Sequence, residues 1–167
     1  ECHHVAIVKS GNDISFYADG ICFGTLVSPY YYCDNLYGHN LKIGRDFLYN
    51  DDSFFHSFQG VIGQVRFWHC ARTPSEIFDN MYASLTGTEP YLLAYWELNE
   101  GIDQLVLEKK SMTFDGFLGN SDGIDSTDPM WIDKDYCAED ENGGHETNGI
   151  VTTQLSETLT LYPNPTN

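Results

Sequence analysis

Acidic residues gather in one short stretch in the first third of the chain. Asp46 is followed by Asn50, Asp51 and Asp52. Ca²⁺ takes about six to eight oxygen ligands, commonly carboxylates and carbonyls from adjoining loops. Asp46, Asp51 and Asp52 are therefore the candidate metal ligands, and a solvated acidic loop is the alternative.

Four tyrosines precede that stretch in a polar segment that also holds Asp, Asn and His residues. They are Tyr30, Tyr31, Tyr32 and Tyr37. Aromatic rings beside amides and carboxylates suit stacking and hydrogen bonding to a sugar ring. The four tyrosines are therefore candidate ligand-binding residues, and packing between domains would account for them equally well.

A second acidic cluster, Asp122, Asp125 and Asp128, is a further candidate for calcium, again with a solvated loop as the alternative.

Catalytic chemistry has less support. A glycoside hydrolase needs two carboxylates that flank the sugar bond. Glu97 and Glu100 are three residues apart, which on a strand points them to opposite faces. No serine-hydrolase or zinc-protease motif occurs in the sequence, so we expect no enzyme.

The composition excludes several classes of partner. The 167 residues include 25 Asp and Glu against 8 Lys and Arg, a formal net charge of −17. Such a field repels phosphate backbones and anionic lipid, which disfavours nucleic acid and membrane surfaces. Hydrophobic residues make up 41% of the chain and aromatic residues 14%, enough for a folded core. Cations and neutral sugars remain as natural partners.

Strand patterns dominate the sequence, and the strands they predict must position the candidate residues. Runs rich in β-branched and aromatic residues predict strands at 4–9, 14–19, 21–27, 41–44, 60–68 and 91–98. One helix is predicted after Thr73, because Thr-Pro-Ser-Glu supplies an N-cap, a first-turn proline and a capping-box glutamate. Ile77 and Met81 begin its apolar stripe, and Gly87 ends it. Many short strands with one short helix predict an all-β sandwich.

Five cysteines, an odd number, show no metal-binding spacing. The first predicted hairpin turns at Gly11 and Asn12, which brings position 2 opposite position 21 or 22. In an oxidising compartment Cys2 and Cys22 are therefore the best pair for a disulfide. Buried free thiols are the alternative.

The order of these elements resembles the later part of a laminin-G-like or pentraxin-like domain, a concanavalin A-like jelly roll. The resemblance covers residues 3–132 and is carried by HHVAIV (3–8), FYADG (16–20), LKIGRD (41–46), FQGVIGQVRFW (58–68), ARTPSEI (71–77) and AYWELNEG (94–101). It implies a binding fold with calcium ligands in the loop of Asp46, Asp51 and Asp52. It also starts in the middle of the family's domain. We therefore expect a missing N-terminal half, or another chain, to complete the sandwich.

The composition changes after residue 132. The stretch 133–157 is acidic and nearly free of large apolar residues, which predicts an extended linker. The end, LYPNPTN (161–167), resembles the opening of the C-terminal sorting domain of type IX secretion substrates in Bacteroidetes. The predicted organisation is a sandwich portion at 1–132, a linker at 133–157 and the start of a sorting domain at 158–167.

Together these features predict a non-catalytic binding or adhesion module that is secreted or on the cell surface. Its expected partner is a glycan or an extracellular protein, with Ca²⁺ as the candidate cofactor. The alternative is a structural accessory domain of a larger extracellular enzyme or filament.

Overall fold

A computed structural model describes residues 2–28, 41–44, 58–119, 123–124, 128–132, 149–152 and 159–161, the last two ranges by their backbone alone. These residues form short strands and one short helix, as the sequence predicts. In chain order the elements are β1 (Val5–Ser10), β2 (Asp13–Ala18), β3 (Ile21–Val27), β4 (Leu41–Ile43), β5 (Gly60–Ile62), β6 (Val65–Trp68), α1 (Pro74–Asn80), β7 (Leu92–Trp96), β8 (Leu105–Val106), β9 (Gly116–Leu118), β10 (Met130–Ile132), β11 (Gly149–Thr152) and β12 (Leu159–Leu161).

The strands pair antiparallel in four sheets. Their orders are β1-β2-β3, β10-β11-β5, β4-β12-β9-β8 and β6-β7. In the first sheet both predicted hairpins are confirmed. The turn between β2 and β3 places Asp19 (φ 48°) and Gly20 (φ 77°) in the left-handed region, as a tight two-residue hairpin turn requires.

The predicted disulfide between Cys2 and Cys22 is wrong. Cys2 is disulfide-bonded, whereas Cys22 and Cys70 are free, and both are exposed rather than buried. Because β2 lies between β1 and β3, the outer strands stand about 10 Å apart. A disulfide joins Cα atoms about 4.4–6.8 Å apart. Because of the second hairpin, β1 and β3 lie on opposite sides of β2. The disulfide partner of Cys2 lies outside the described residues.

The stretch 60–68, predicted as one strand, is divided between two sheets. β5 pairs with β11, and β6 pairs with β7. Gly63 and Gln64 separate the two strands. The alternating pattern therefore runs across a point where the chain passes from one sheet to another.

The predicted helix begins at its capping box and ends early. Glu76 N–H donates to Thr73 Oγ1 at 3.3 Å, and Thr73 N–H donates to Glu76 Oε2 at 2.8 Å, so the capping box is confirmed. α1 ends at Asn80. Arg66 of β6 donates to the carbonyl oxygen of Asn80 at 2.7 Å and to that of Ala83. The Asn80 carbonyl also accepts the Ala83 N–H at 3.1 Å, so a backbone turn and the Arg66 side chain together bond the carbonyl groups at the end of the helix.

Two pieces of the region after residue 132 lie within sheets. β11 pairs with β5 and β10, and β12 pairs with β4 and β9. The sequence assigns 149–152 to the linker and 159–161 to the sorting segment, and the backbone of both pieces is paired on each side. The boundaries at 132 and 157 stay predictions.

The core combines strands from several sheets. Its buried members are Ala94, Trp96, Leu98, Val106 and Leu118, and the half-buried Ile43, Ile62, Val65 and Trp131 pack against them. Two indole groups are also anchored, because Trp96 Nε1 donates to Phe114 O at 3.0 Å and Trp131 Nε1 donates to Asp103 O at 2.8 Å. No helix in the described part of the chain is long and apolar enough to cross a membrane.

Candidate functional site

The residues predicted to bind ligand and metal lie outside the described residues. They are Tyr30, Tyr31, Tyr32, Tyr37, Asp46, Asp51 and Asp52. The strand ends on either side of them are described, and these fix where both segments leave the sheets.

Both segments adjoin β4. Segment 29–40 precedes this strand and segment 45–57 follows it. The two described residues that flank segment 45–57 are in contact, because Phe58 N–H donates to the Gly44 carbonyl at 2.6 Å. Segment 29–40 departs after Ser28, whose N–H donates to the Asn12 carbonyl at 2.7 Å. Within the described residues β4 pairs only with β12 and so lies at the edge of its sheet.

The two histidines of the first motif bind the turn between β2 and β3. The Asp19 carboxylate lies 2.8 Å from His3 Nδ1 and accepts the His4 N–H at 2.8 Å. Asp19 N–H donates in return to the His4 carbonyl at 2.8 Å. The bond from the His3 side chain, and next that from the His4 backbone, lower the pKa of Asp19. Both histidines therefore hold the sheet together at this turn.

The His4 ring is half-buried near a cation. Its Nδ1 is buried and has no hydrogen-bond partner among the described residues. Burial first, and the positive charge of Arg66 second, lower the pKa of His4 against the opposing effect of Asp19. Arg66 itself lies 5.8 Å from the centroid of the Tyr95 ring. This part of the fold therefore favours a neutral imidazole.

The two glutamates considered for glycoside hydrolysis are engaged in the fold. Glu97 Oε2 lies 3.3 Å from Lys109 Nζ. Glu100 Oε1 accepts the Leu107 N–H at 3.1 Å. The two carboxylates therefore bind different residues, Glu97 the Lys109 side chain and Glu100 the Leu107 backbone.

A third glutamate, which sequence reasoning missed, is fully buried. Glu108 is 0% exposed. Its carboxylate accepts the N–H of Tyr95 at 3.1 Å and of Lys110 at 2.6 Å, and both the N–H and Oγ–H of Ser111 at 2.7 Å. Burial would raise the pKa of Glu108, but these bonds outweigh it and lower the pKa. A glutamate three residues before a serine is the only sequence signal for this turn.

Asp128 is the described member of the second acidic cluster, whereas Asp122 and Asp125 lie outside the described residues. Asp128 is 7% exposed and Gln104 is 8% exposed. Gln104 Nε2 donates to Asp128 Oδ2 at 2.5 Å. Gln104 Oε1 is buried and has no hydrogen-bond partner among the described residues. Asp128 is therefore not the solvated carboxylate of the alternative interpretation, and no sequence signal pointed to Gln104.

One face of the β1–β3 sheet is apolar and exposed, and we call it the open face. It carries five large side chains that are 60–75% exposed, Val5, Ile7, Ile21, Phe23 and Leu26. The register aligns Val5 with Ala18 and Ala18 with Ile21, which places them on one side. The Phe23 ring lies 6.2 Å from that of Phe16, centroid to centroid. In the described residues β1 and β3 each pair only with β2.

The described residues contain no group of three or more His, Cys, Asp or Glu side chains that could hold a metal ion. The predicted ligands Asp46, Asp51 and Asp52 stay a prediction.

One family model matches the chain. It is the laminin G type 3 model, described as the concanavalin A-like lectin/glucanases superfamily, and it covers residues 1–78. The match reaches from the first hairpin into α1. Comparisons with curated proteins and with solved structures found no match. Antiparallel sheets with one short helix are consistent with a concanavalin A-like β-sandwich, and such a domain suggests a binding module.

Proposed function

We propose that this chain is a non-catalytic binding or adhesion module that recognises a glycan or an extracellular protein. The observation that carries the proposal is the match of residues 1–78 to a superfamily described by its lectins and glucanases. The engagement of Glu97 with Lys109 and of Glu100 with Leu107 favours binding over hydrolysis.

The proposed ligand surface consists of the segments on either side of β4. Tyr30, Tyr31, Tyr32 and Tyr37 would supply aromatic rings, and Asp46, Asp51 and Asp52 would bind Ca²⁺. Both segments adjoin one edge strand, and the bond from Phe58 N–H to the Gly44 carbonyl closes the second segment, which supports a common surface. The net charge of −17 favours a cation and a neutral sugar.

Thermal unfolding with and without Ca²⁺ and a glycan array test these two roles. We expect Ca²⁺ to raise the Tm of the wild type, and the double variant Asp51→Asn, Asp52→Asn to lose most of that rise. We expect Tyr31→Ala to lose glycan binding, whereas Tyr82→Ala, outside both segments, retains it. An array with no wild-type hits would contradict glycan recognition.

We also propose a secreted or cell-surface location. The disulfide at Cys2 supports an oxidising compartment. The resemblance of LYPNPTN to the start of a type IX sorting domain supports the same location. Fusing residues 133–167 to a reporter protein in a Bacteroidetes host, and measuring export, tests it. A reporter that stays inside the cell would contradict the sorting role.

A second candidate function is that of a structural accessory domain, and the open face favours it. Val5 and Ile7 are 75% and 72% exposed on a sheet whose other face is partly covered. A sheet buries its apolar face against another layer. We propose that another segment or another chain covers the open face and completes the sandwich. Light scattering and binding of an apolar dye test it, and a monodisperse monomer that binds no dye would contradict it.

A further inference from the structure

Two cysteines remain as candidates for the disulfide partner of Cys2. The sequence contains five cysteines, of which Cys2 is disulfide-bonded and Cys22 and Cys70 are free. The partner is therefore Cys33 or Cys137, and both lie outside the described residues. The described strands near them decide between the two, because they set the points from which each cysteine must reach Cys2.

Cys2 lies at the end of the β1–β3 sheet where β2 turns into β3. It is two residues before His4, whose N–H donates to Asp19 Oδ1 at 2.8 Å and whose carbonyl accepts the Asp19 N–H at 2.8 Å. Two residues span at most about 7 Å. From this turn β1 runs toward Ser10 at the other end of the sheet. Cys2 is therefore held near Asp19.

Cys33 starts from the opposite end of the same sheet. Ser28 follows β3, and its N–H donates to the Asn12 carbonyl at 2.7 Å, beside the first hairpin turn. β3 is seven residues long, so about 20 Å separate the two ends. Cys33 lies five residues after Ser28, and a reversal of the chain takes about four residues. The remainder cannot run back along the sheet and cross the about 10 Å from β3 to β1, whereas a disulfide needs Cα atoms about 4.4–6.8 Å apart.

Cys137 follows β10, whose direction is fixed by its neighbours. β10 and β5 each pair antiparallel with β11, so they run in the same direction on either side of it. Trp131 and Ile62 both pair with Ile150, which places the two strands about 10 Å apart at this level. β10 ends one residue further, at Ile132. The chain therefore leaves β10 on the side from which β5 continues into β6.

The continuation of β5 leads to the neighbourhood of Cys2. Arg66 of β6 is close to the His4 ring, since its positive charge is, after burial, the next cause of the lowered pKa of His4. Cys137 lies five residues after Ile132, and five extended residues span at most about 18 Å. Cys137 thus starts from the end of its sheet that leads toward His4, whereas Cys33 starts from the far end of the β1–β3 sheet.

We propose that Cys137 is the partner of Cys2 and that this disulfide ties the β1–β3 sheet to the chain that follows β10. Its formation removes one hydrogen atom from each thiol, and the two protons and two electrons pass to an oxidant such as a disulfide oxidoreductase. The step rests on the oxidising compartment of the proposed function. The bond fastens the start of the predicted linker to the sandwich, and Cys33 keeps a free thiol among the candidate tyrosines.

Peptide mapping of the full chain, produced in an oxidising compartment, identifies the partner. Free thiols are alkylated first, and the unreduced chain is then digested with trypsin. Cleavage after Lys9 and Lys134 separates peptide 1–9, with Cys2, from peptide 135–167, with Cys137, whereas peptide 10–42 contains Cys33. We expect peptide 1–9 to be linked to peptide 135–167. A link from peptide 1–9 to any other peptide or to a second copy of itself, or an alkylated Cys2, would overturn the inference.

Two matched variants add a measurement of stability. A disulfide that closes more than about 100 residues stabilises strongly, so a reductant should lower the Tm of the wild type by about 10 °C. Cys33→Ser should keep both the linked peptides and this loss, whereas Cys137→Ser should lose both. A Cys33→Ser variant without the link would overturn the pairing, whether or not Cys137→Ser folds. The peptide map tests the pairing alone, because it depends neither on glycan binding nor on export by the sorting segment.

Discussion

Two apolar regions of this chain have similar sequence patterns and opposite exposure. Trp96, Leu98 and Val106 are at most 2% exposed, whereas Val5 is 75% and Ile7 is 72% exposed. Alternation predicts that a strand has an apolar face. Whether that face is buried depends on a second layer, which the strand's own sequence does not encode.

The origin of the second layer explains the difference. Strands β4, β5, β6 and β10 each bring a half-buried residue to the core around Trp96. The β1–β3 sheet pairs only within itself in the described residues. Its turn lies close to α1, because a Cβ at Gly20 would come within 2.7 Å of Phe78 Cδ2. The core around Trp96 is therefore built from segments distant in sequence, whereas in the described residues no other strand pairs with the β1–β3 sheet.

The largest expected effect contrasts one residue from each region. Trp96 packs edge-on against Phe67 at 5.9 Å between centroids, and Trp96→Ala should cost about 3–5 kcal/mol of unfolding free energy. In the chain without a covering partner, Ile7→Ala should change it by no more than about 0.5 kcal/mol, because the Ile7 side chain is 72% exposed. Urea denaturation measures both. A loss above about 2 kcal/mol for Ile7→Ala would mean that the open face is covered in solution.

Glu108 adds a buried charge to the buried side of this comparison. Glu108→Gln places an amide NH₂ against donors from Lys110 and Ser111, and should cost about 2–3 kcal/mol. The folded state lowers the pKa of Glu108, so its contribution is present above the unfolded pKa and is lost as pH falls through the folded value. Denaturation at pH 7 and at pH 3 should therefore show a smaller difference between wild type and variant at pH 3. Equal differences at both pH values would contradict this.

Local features were predictable from the sequence, and features set by distant contacts were not. The hairpin turn at Asp19 and Gly20 and the capping box at Thr73 depend on residues within one turn, and both are confirmed. At the end of α1 the Asn80 carbonyl accepts a hydrogen bond from Arg66 of β6, a contact that the helix sequence alone does not indicate. The disulfide prediction failed because it considered one hairpin where two determine the strand order.

The candidate site residues also divide into those indicated by the local sequence and those decided by distant contacts. Asp128 was found as part of an acidic cluster, but its burial depends on Gln104, which is 24 residues away in sequence. Glu108 had no apparent role because its donors come from a turn and from β7. The tyrosine and aspartate candidates between 30 and 52 stay predictions. Sequence reasoning therefore identified chemical types, and tertiary contacts decided which of them are buried.

The capping box gives an intermediate effect that is independent of both apolar regions. Thr73→Ala removes the acceptor for Glu76 N–H and should cost about 1 kcal/mol. Ser75→Ala, at an exposed position in the same helix, is the matched control and should change stability by less than about 0.5 kcal/mol. Equal losses for the two variants, measured in urea, would show that the helix end is held by contacts other than the cap.

The smallest expected effect is on the pH dependence of stability, and it concerns His4 at the edge of the β1–β3 sheet. Burial and Arg66 lower the pKa of His4 in the folded state, so the unfolded state binds more protons as pH falls below about 6.5. The contribution of neutral His4 is thus fully present above that pH and is lost as pH falls through the folded pKa. Urea denaturation between pH 7 and pH 5 should show a gradual loss of stability, and His4→Gln should reduce its slope. An unchanged slope in His4→Gln would contradict a lowered pKa of His4 in the folded state.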